Sequence, residues 1–280
     1  MRILPILVRL WQRSLALPLL KGLHRLTAVL PIPLLELMLP AALASGLLRK
    51  RLLPLLAGAL GVYLLLWYPA YFAAPAPSPA SARDAEPLCL CLVDALNASP
   101  LAFESPLPSA GDAAGMPWAR VKAAGRPGWM RALGIAGLFS PWTGEALVDA
   151  DAPPGYLPFT CVHELMHLRG IADEGAANIA AWQACLSYGG MYADSARLWA
   201  LRYAMARLSP AARDRVTRRM GNGLRGIALL SEPVAPGPAA RMLGIARQVS
   251  DYDALVDWLV DNGAGGWYDE DTQAQRRSRS

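Results

Sequence analysis

The chain has 280 residues, 54% of them hydrophobic, and a mean hydropathy of +0.25. That is too apolar for an ordinary soluble chain and too charged at its far end for a pure membrane bundle, so two regions are expected. Residues 1–74 carry eight Lys/Arg and one acid, while 75–280 carry nineteen Lys/Arg and twenty-one acids, so the overall +5 (27 − 22) points to membrane topology and not to nucleic acid.

The expected organisation is a membrane-anchor region over 1–74, a proline-rich linker over 75–87, a metal domain over 88–268 and a disordered tail over 269–280. Residues 3–20 are apolar but interrupted by Arg9, Gln12 and Arg13, so an interfacial basic helix and a span are equally compatible with them. No cleavable-signal pattern follows, and the segment is expected to be retained. Residues 26–48 are long enough to cross a bilayer yet contain Pro31, Pro33, Glu36 and Pro40, which predicts a kinked or re-entrant passage. Residues 52–74 carry no charge and gather Trp67, Tyr68 and Tyr71 at one end, which makes them the best predicted transmembrane helix. Arg49, Lys50 and Arg51 abut its start. The positive-inside rule then predicts one or three spans, with the C-terminal region outside the cytoplasm in a bacterial inner membrane.

Residues 88–97 are read as a short helix, 98–128 as loops and 144–150 as a short strand. An unpaired edge of that strand would be available to an extended substrate, although a structural hairpin arm explains the same residues equally well. Residues 158–171, PFTCVHELMHLRGI, carry an HExxH motif. His163 and His167 stand four apart and so share a helix face, where two imidazoles can bind one metal ion. Glu164 then lies beside the metal, placed to take a proton from a bound water whose pKa the ion lowers to roughly 7. The chain has only three His in total, which makes a chance match rare.

For a third ligand the spacing offers two adjacent acids. Gly170 and Asp173 complete HExxHxxGxxD, whereas Glu174 and Asn178 fit a second helix in which Glu174 binds the metal and Asn178 bonds the outer nitrogen of a ligand His. Either arrangement requires the motif helix to break near Gly170, because an unbroken helix would carry Glu174 roughly 10 Å too far along its axis. Beyond the motif, 175–193 read as a buried core helix, 194–208 as an amphipathic helix, 211–219 as a solvated helix and 251–260 as a last helix. Cys89, Cys91, Cys161 and Cys185 fit no metal-binding spacing. Buried thiols are expected, with a Cys161–Cys185 bridge as the alternative.

Residues 129–178, WMRALGIAGLFSPWTGEALVDADAPPGYLPFTCVHELMHLRGIADEGAAN, resemble an uncharacterised bacterial family of membrane-anchored HExxH proteins, gluzincin-like and of unknown function. Weaker similarity continues through ALRYAMARL and SDYDALVDWL. The resemblance implies a mainly α fold with a small β-sheet, a zincin-like α+β metal domain preceded by N-terminal transmembrane helices. It also implies zinc as cofactor and a lipid bilayer and a peptide or protein substrate as partners. It favours Glu174 over Asp173, since the family keeps the Glu and usually has Arg where Asp173 stands; an acid is also usual where Ala176 stands. The expected activity is peptide-bond hydrolysis by zinc-activated water with Glu164 as base, and Arg202, Tyr203 or Tyr192 as candidates to stabilise the oxyanion. A non-catalytic membrane scaffold or binding protein with a structural metal site is the alternative.

Overall fold

The computed structural model describes residues 3–38, 41, 52–72, 85–125, 128–230 and 251–262. It is mainly helical with one small sheet. In chain order the elements are α1 (Ile3–Trp11), a π-helical turn (Gln12–Ala16), α2 (Leu17–Ala28), α3 (Leu52–Leu66), a 3-10 turn (Tyr68–Phe72), α4 (Glu86–Asn97), α5 (Ala110–Ala113), β1 (Val121–Ala123), α6 (Trp129–Leu133), β2 (Gly137–Ser140), β3 (Glu145–Val148), α7 (Leu157–Leu168), α8 (Glu174–Tyr188), α9 (Gly190–Ala206), α10 (Pro210–Arg219), α11 (Asn222–Leu230) and α12 (Asp251–Asp261).

The motif helix α7 lies at the centre, with all twelve of its residues buried. One side meets the sheet and the other meets α8 and α9. The surrounding core is aliphatic and aromatic: Leu92, Val93 and Leu96 from α4, Phe159, Leu165 and Met166 from α7, and Leu198 from α9 are all essentially inaccessible. Burial of such side chains stabilises by about 1.5–3 kcal/mol each, which fixes α7 against movement along its axis. α10 is held to α4 by two bidentate pairs, Arg215 with Glu86 and Arg219 with Asp94. These are exposed at the Arg ends and contribute little.

The sheet has the order β1-β3-β2, with β1 parallel and β2 antiparallel to β3. The strand read from residues 144–150 is therefore the central one. It has neighbours on both sides and no free edge; the edge beside α7 belongs to β2, where Gly137 pairs with Val148 and Ser140 with Glu145.

The expected transmembrane helices are not found: among the described residues no helix is long and apolar enough to cross a membrane. The predicted span over 52–74 ends as a helix at Leu66, giving 15 residues and about 22 Å against roughly 30 Å of hydrocarbon. Pro69 explains the stop, because it donates no N–H and disfavours helical geometry at Tyr68, so the chain tightens into the 3-10 turn. Residues 39–40 and 42–48 of the predicted passage over 26–48 lie outside the described residues. In the rest the helix breaks after Ala28, at Pro31 and Pro33, and the helical stretch over 34–38 exposes Leu37 and Met38. Its Glu36 is buried, accepting from Gly125 N–H at 3.0 Å and from Trp129 Nε1 at 2.7 Å. The topology inferred from Arg49–Arg51 presupposes a spanning helix, and none is found among the described residues. Those three residues, most of the 75–87 linker and the 269–280 tail lie outside the described residues.

Residues 3–28 instead run as one continuous helical stretch, α1, the π turn and α2, laid across the domain. Val8, Gln12, Ala16, Leu20, His24 and Thr27 make its buried stripe. A four-residue repeat drifts by about 40° per step on an α-helix, and the wider π turn at Gln12–Ala16 returns part of that drift, keeping the stripe on one line. Polar groups fasten it. Gln12 Nε2 donates to Gly170 O at 2.9 Å, His24 Nδ1 to Gly144 O at 2.7 Å and Thr27 Oγ1 to Thr143 O at 3.2 Å. Glu145 accepts from Leu34 N–H, Leu35 N–H and Lys122 Nζ at 2.8–2.9 Å. Burial opposes ionisation of Glu145, but the Lys122 ammonium and the two N–H groups hold its carboxyl below the usual range.

The remaining helices follow the predicted periodicity with shifted ends. The helix expected over 175–193 divides at Gly189 and Gly190, both at positive φ, into α8 and α9. All four cysteines are free thiols; Cys89, Cys161 and Cys185 are buried and Cys91 is partly so.

Candidate metal centre

Pro158 occupies the first turn of α7, where its missing N–H costs nothing, and the helix closes at Arg169. Gly170 follows at φ +95°, a left-handed conformation that turns the chain back. Ile171 N–H then bonds Met166 O at 3.2 Å. Asp173 N-caps α8 by accepting from Ala176 N–H at 2.8 Å, which leaves Glu174 as the first residue of the new helix. The break required near Gly170 is thus present, and it returns Glu174 to the face of α7 that carries both histidines.

Three ligand-type atoms meet there. His163 Nε2 lies 3.1 Å from His167 Nε2 and 3.1 Å from Glu174 Oε2, and His167 Nε2 lies 3.4 Å from that oxygen. In a tetrahedral zinc site with bonds of 2.0–2.1 Å, ligand atoms stand about 3.3 Å apart. The three sides of this triangle match one face of such a tetrahedron, and the N,N,O donor set suits zinc. Both His side chains are buried, while that of Glu174 is 37% exposed, so the cluster opens on the Glu174 side. Asp173, the competing acid, spends its carboxylate on the cap and is not part of the cluster.

His167 Nδ1 bonds Ile171 O at 2.7 Å, which directs Nε2 into the cluster. The rings of Phe139 and Trp67 lie against His167, and that of Phe159 against His163. Burial pulls the His167 pKa down, but the carboxylates of Glu174 and Glu164 and the Ile171 carbonyl outweigh it and raise it to about 9. Burial likewise opposes ionisation of Glu174, yet hydrogen bonds from the two histidines hold it well below the usual carboxylate range.

Glu164 lies against β2. Its carboxylate accepts from Phe139 N–H and lies against Gly137, where a Cβ would meet Oε1 at 2.3 Å. Burial pushes its pKa up to about 6, against the pull of both histidines. Asn178 stands four residues after Glu174 on α8 and is fully buried. Neither of its side-chain polar atoms finds a hydrogen-bond partner among the described residues, so the bond expected from it to a ligand His is not made. Each such orphan costs about 1–3 kcal/mol.

The three oxyanion candidates are engaged elsewhere. Tyr192 OH donates to Pro106 O at 2.8 Å and meets Ser109 Oγ at 3.0 Å. Arg202 lies over the rings of Tyr156, Trp199 and Tyr203, and Tyr203 stacks on Trp199. The groups that do reach the cluster come from 63–72, which the sequence reading gave to lipid. Tyr71 is hydrogen-bonded with Tyr63 and Trp67, and its pKa is pushed up to about 12 by burial, by Tyr63 and by the charge of Glu174. The one sequence signal for this placement is Pro69, which stops the apolar helix short and folds the aromatic run back.

A DUF3810 domain, described as a protein of unknown function, is found at residues 113–225. The match takes in β1–β3, α7, α8, α9 and α10, hence every residue of the cluster and Glu164. No curated protein and no solved structure matches the chain.

Proposed function

We propose that this chain is a zinc-dependent, peptidase-like hydrolase whose metal is held by His163, His167 and Glu174. The observation that supports it is the triangle of Nε2, Nε2 and Oε2 atoms with sides of 3.1, 3.1 and 3.4 Å, open on one side. When bound, zinc would supply Lewis acidity and lower the pKa of a coordinated water. The chain's own residues supply the rest. Glu164 is the base: its carboxylate is held by Phe139 N–H and by the space Gly137 leaves, and it takes the water's proton and returns it to the departing amine nitrogen. His167, its ring fixed by Ile171 O, keeps its ligand nitrogen oriented through the reaction. The outer edge of β2, adjacent to Glu164, receives an extended peptide by backbone pairing.

The test is to measure bound metal and cleavage of a mixed-sequence peptide library on the full chain. One zinc per chain and hydrolysis are expected, with Glu164→Gln keeping the zinc and losing at least about a hundredfold in rate. Loss of zinc in Glu164→Gln would show the residue to be a ligand. Stoichiometric zinc with no cleavage of any peptide would reduce the centre to a structural one.

A further inference from the structure

The three ligand-type side chains of the cluster all stand on α7 and α8, yet a side chain from the start of the chain reaches the turn that joins those two helices. Gln12 is buried, and its Nε2 donates to Gly170 O at 2.9 Å although the two residues are 158 positions apart. Gln12 is also the first residue of the π turn, a departure from α geometry that is frequent at functional sites.

What Gln12 holds is one peptide unit. The plane between Gly170 and Ile171 carries Gly170 O at one end and Ile171 N–H at the other. Gln12 takes the first, and Met166 O accepts from the second at 3.2 Å. The unit is planar, so securing both ends fixes its tilt and with it the start of the next residue. That residue supplies Ile171 O, which accepts from His167 Nδ1 at 2.7 Å and so aims Nε2 at His163 and Glu174. Gly170 is the loose joint in this relay, because a glycine at φ +95° can leave the left-handed region at little cost. It is buried, which leaves its carbonyl no solvent to turn to. Leu17 closes the same joint from the N-terminal side: a Cβ at Gly170 would lie 2.7 Å from Leu17 Cδ2 and 3.4 Å from Gln12 Nε2.

We propose that Gln12 is a positioning residue for the cluster of His163, His167 and Glu174. By clamping the Gly170–Ile171 peptide it fixes the carbonyl that orients His167, so the N-terminal helix is a working part of the site and not only a cover for the domain. The inference rests on the metal reading above. Thr27 supplies the comparison: it lies at the other end of the same helical stretch, is likewise buried, and donates Oγ1 to a different main-chain carbonyl, Thr143 O between β2 and β3, at 3.2 Å.

The experiment is titration of the full chain with zinc and with cobalt(II) in wild type, Gln12→Met and Thr27→Val. Both substitutions nearly keep the side-chain volume and remove the donated hydrogen bond, so both should lower the melting midpoint. Only Gln12→Met should weaken metal binding, by about tenfold, the lower end of the loss for a group that orients a ligand histidine. Only Gln12→Met should alter the visible spectrum of bound cobalt, which reports the arrangement of ligands around the ion. Leu17→Ala opens the same joint without touching the hydrogen bond; it should weaken zinc in the same sense, and it carries the test if Gln12→Met does not fold. Wild-type affinity and an unchanged cobalt spectrum in these variants overturn the proposal and leave the metal reading standing. Equal weakening in Thr27→Val also overturns it, by tracing the effect to loose docking of the whole helix. A wild-type chain that takes up neither ion overturns the metal reading and this proposal with it.

Discussion

Glu174 and Asp173 differ by one position, yet the fold gives them opposite work. Asp173 in the extended conformation spends its carboxylate on Ala176 N–H, whereas Glu174 turns onto the two histidines. Asp173→Ala should therefore lower stability by about 1 kcal/mol, the usual value of an N-cap, and leave zinc stoichiometry intact. Glu174→Ala should lose the metal, as read by elemental analysis after gel filtration. The opposite pattern would make Asp173 the ligand. The shared face of the two histidines and the need for a break were legible in the motif; the choice between the acids was not settled by spacing, because both fit a turn after Gly170. Gly137 was invisible at this scale. Nothing local marks it, and its role exists only because β2 lies against Glu164. Gly137→Ala would place a methyl 2.3 Å from Oε1 and push the carboxylate aside. The expected result is full zinc occupancy with activity down about a hundredfold, the usual penalty for roughly 1 Å of misplacement.

At the scale of elements, the helices with clear amphipathic spacing are found where periodicity put them, and errors cluster where the decisive contact is distant in sequence. The strand over 145–148 was readable, but its central position was not, since β1 and β2 are supplied from either side by short segments without a strong period of their own. The apolar stretch from 52 was readable as a helix; that Pro69 turns Trp67 and Tyr71 onto the cluster of His163, His167 and Glu174 was not, because hydropathy alone scores those rings as an interfacial belt. Asn178 was matched to a ligand His by spacing, and spacing says nothing about the final approach of two helices. Gly170 joins local and distant constraints. A Cβ there would sit 2.7 Å from Leu17 Cδ2, and its φ of +95° is strained for any other residue. Gly170→Ala should destabilise by about 1–3 kcal/mol from strain alone, with the clash added. Leu17→Ala should relieve the clash and leave the strain, so the double variant should be more stable than the sum of the single effects. Strict additivity in chemical denaturation would show that α2 does not press on the end of the motif helix.

Across the whole molecule, the contrast between a basic N-terminal region and a nearly balanced remainder was read as membrane against domain, but Gln12, His24, Thr27 and Glu36 point inward and hold residues 3–38 against the domain. Gln12 and Glu36 were read as interruptions in apolar runs; together with His24 and Thr27 they are the docking contacts. His24 makes that docking pH-dependent. Its Nδ1–H donates to Gly144 O and its Nε2 accepts Arg120 N–H at 2.9 Å; the second bond needs the neutral ring and is lost on protonation, while the first is kept. Burial lowers its pKa below the ordinary 6.5, and nearby Lys122 and Arg120 act in the same direction, partly offset by the Gly144 carbonyl and by Glu145. A folded pKa below the unfolded one means that the unfolded chain takes up the proton first as pH falls. The stabilisation is thus fully present above about pH 6.5 and is lost as pH drops towards the folded value. Thermal melts from pH 8 to pH 5 should show the midpoint falling below pH 6.5, and His24→Gln, which cannot titrate, should lack that part of the fall. Because Glu164 and His167 titrate identically in both proteins, the difference between the two curves isolates His24. If the curves run parallel from pH 8 to pH 5, His24 is not the group that couples the N-terminal helix to acidity.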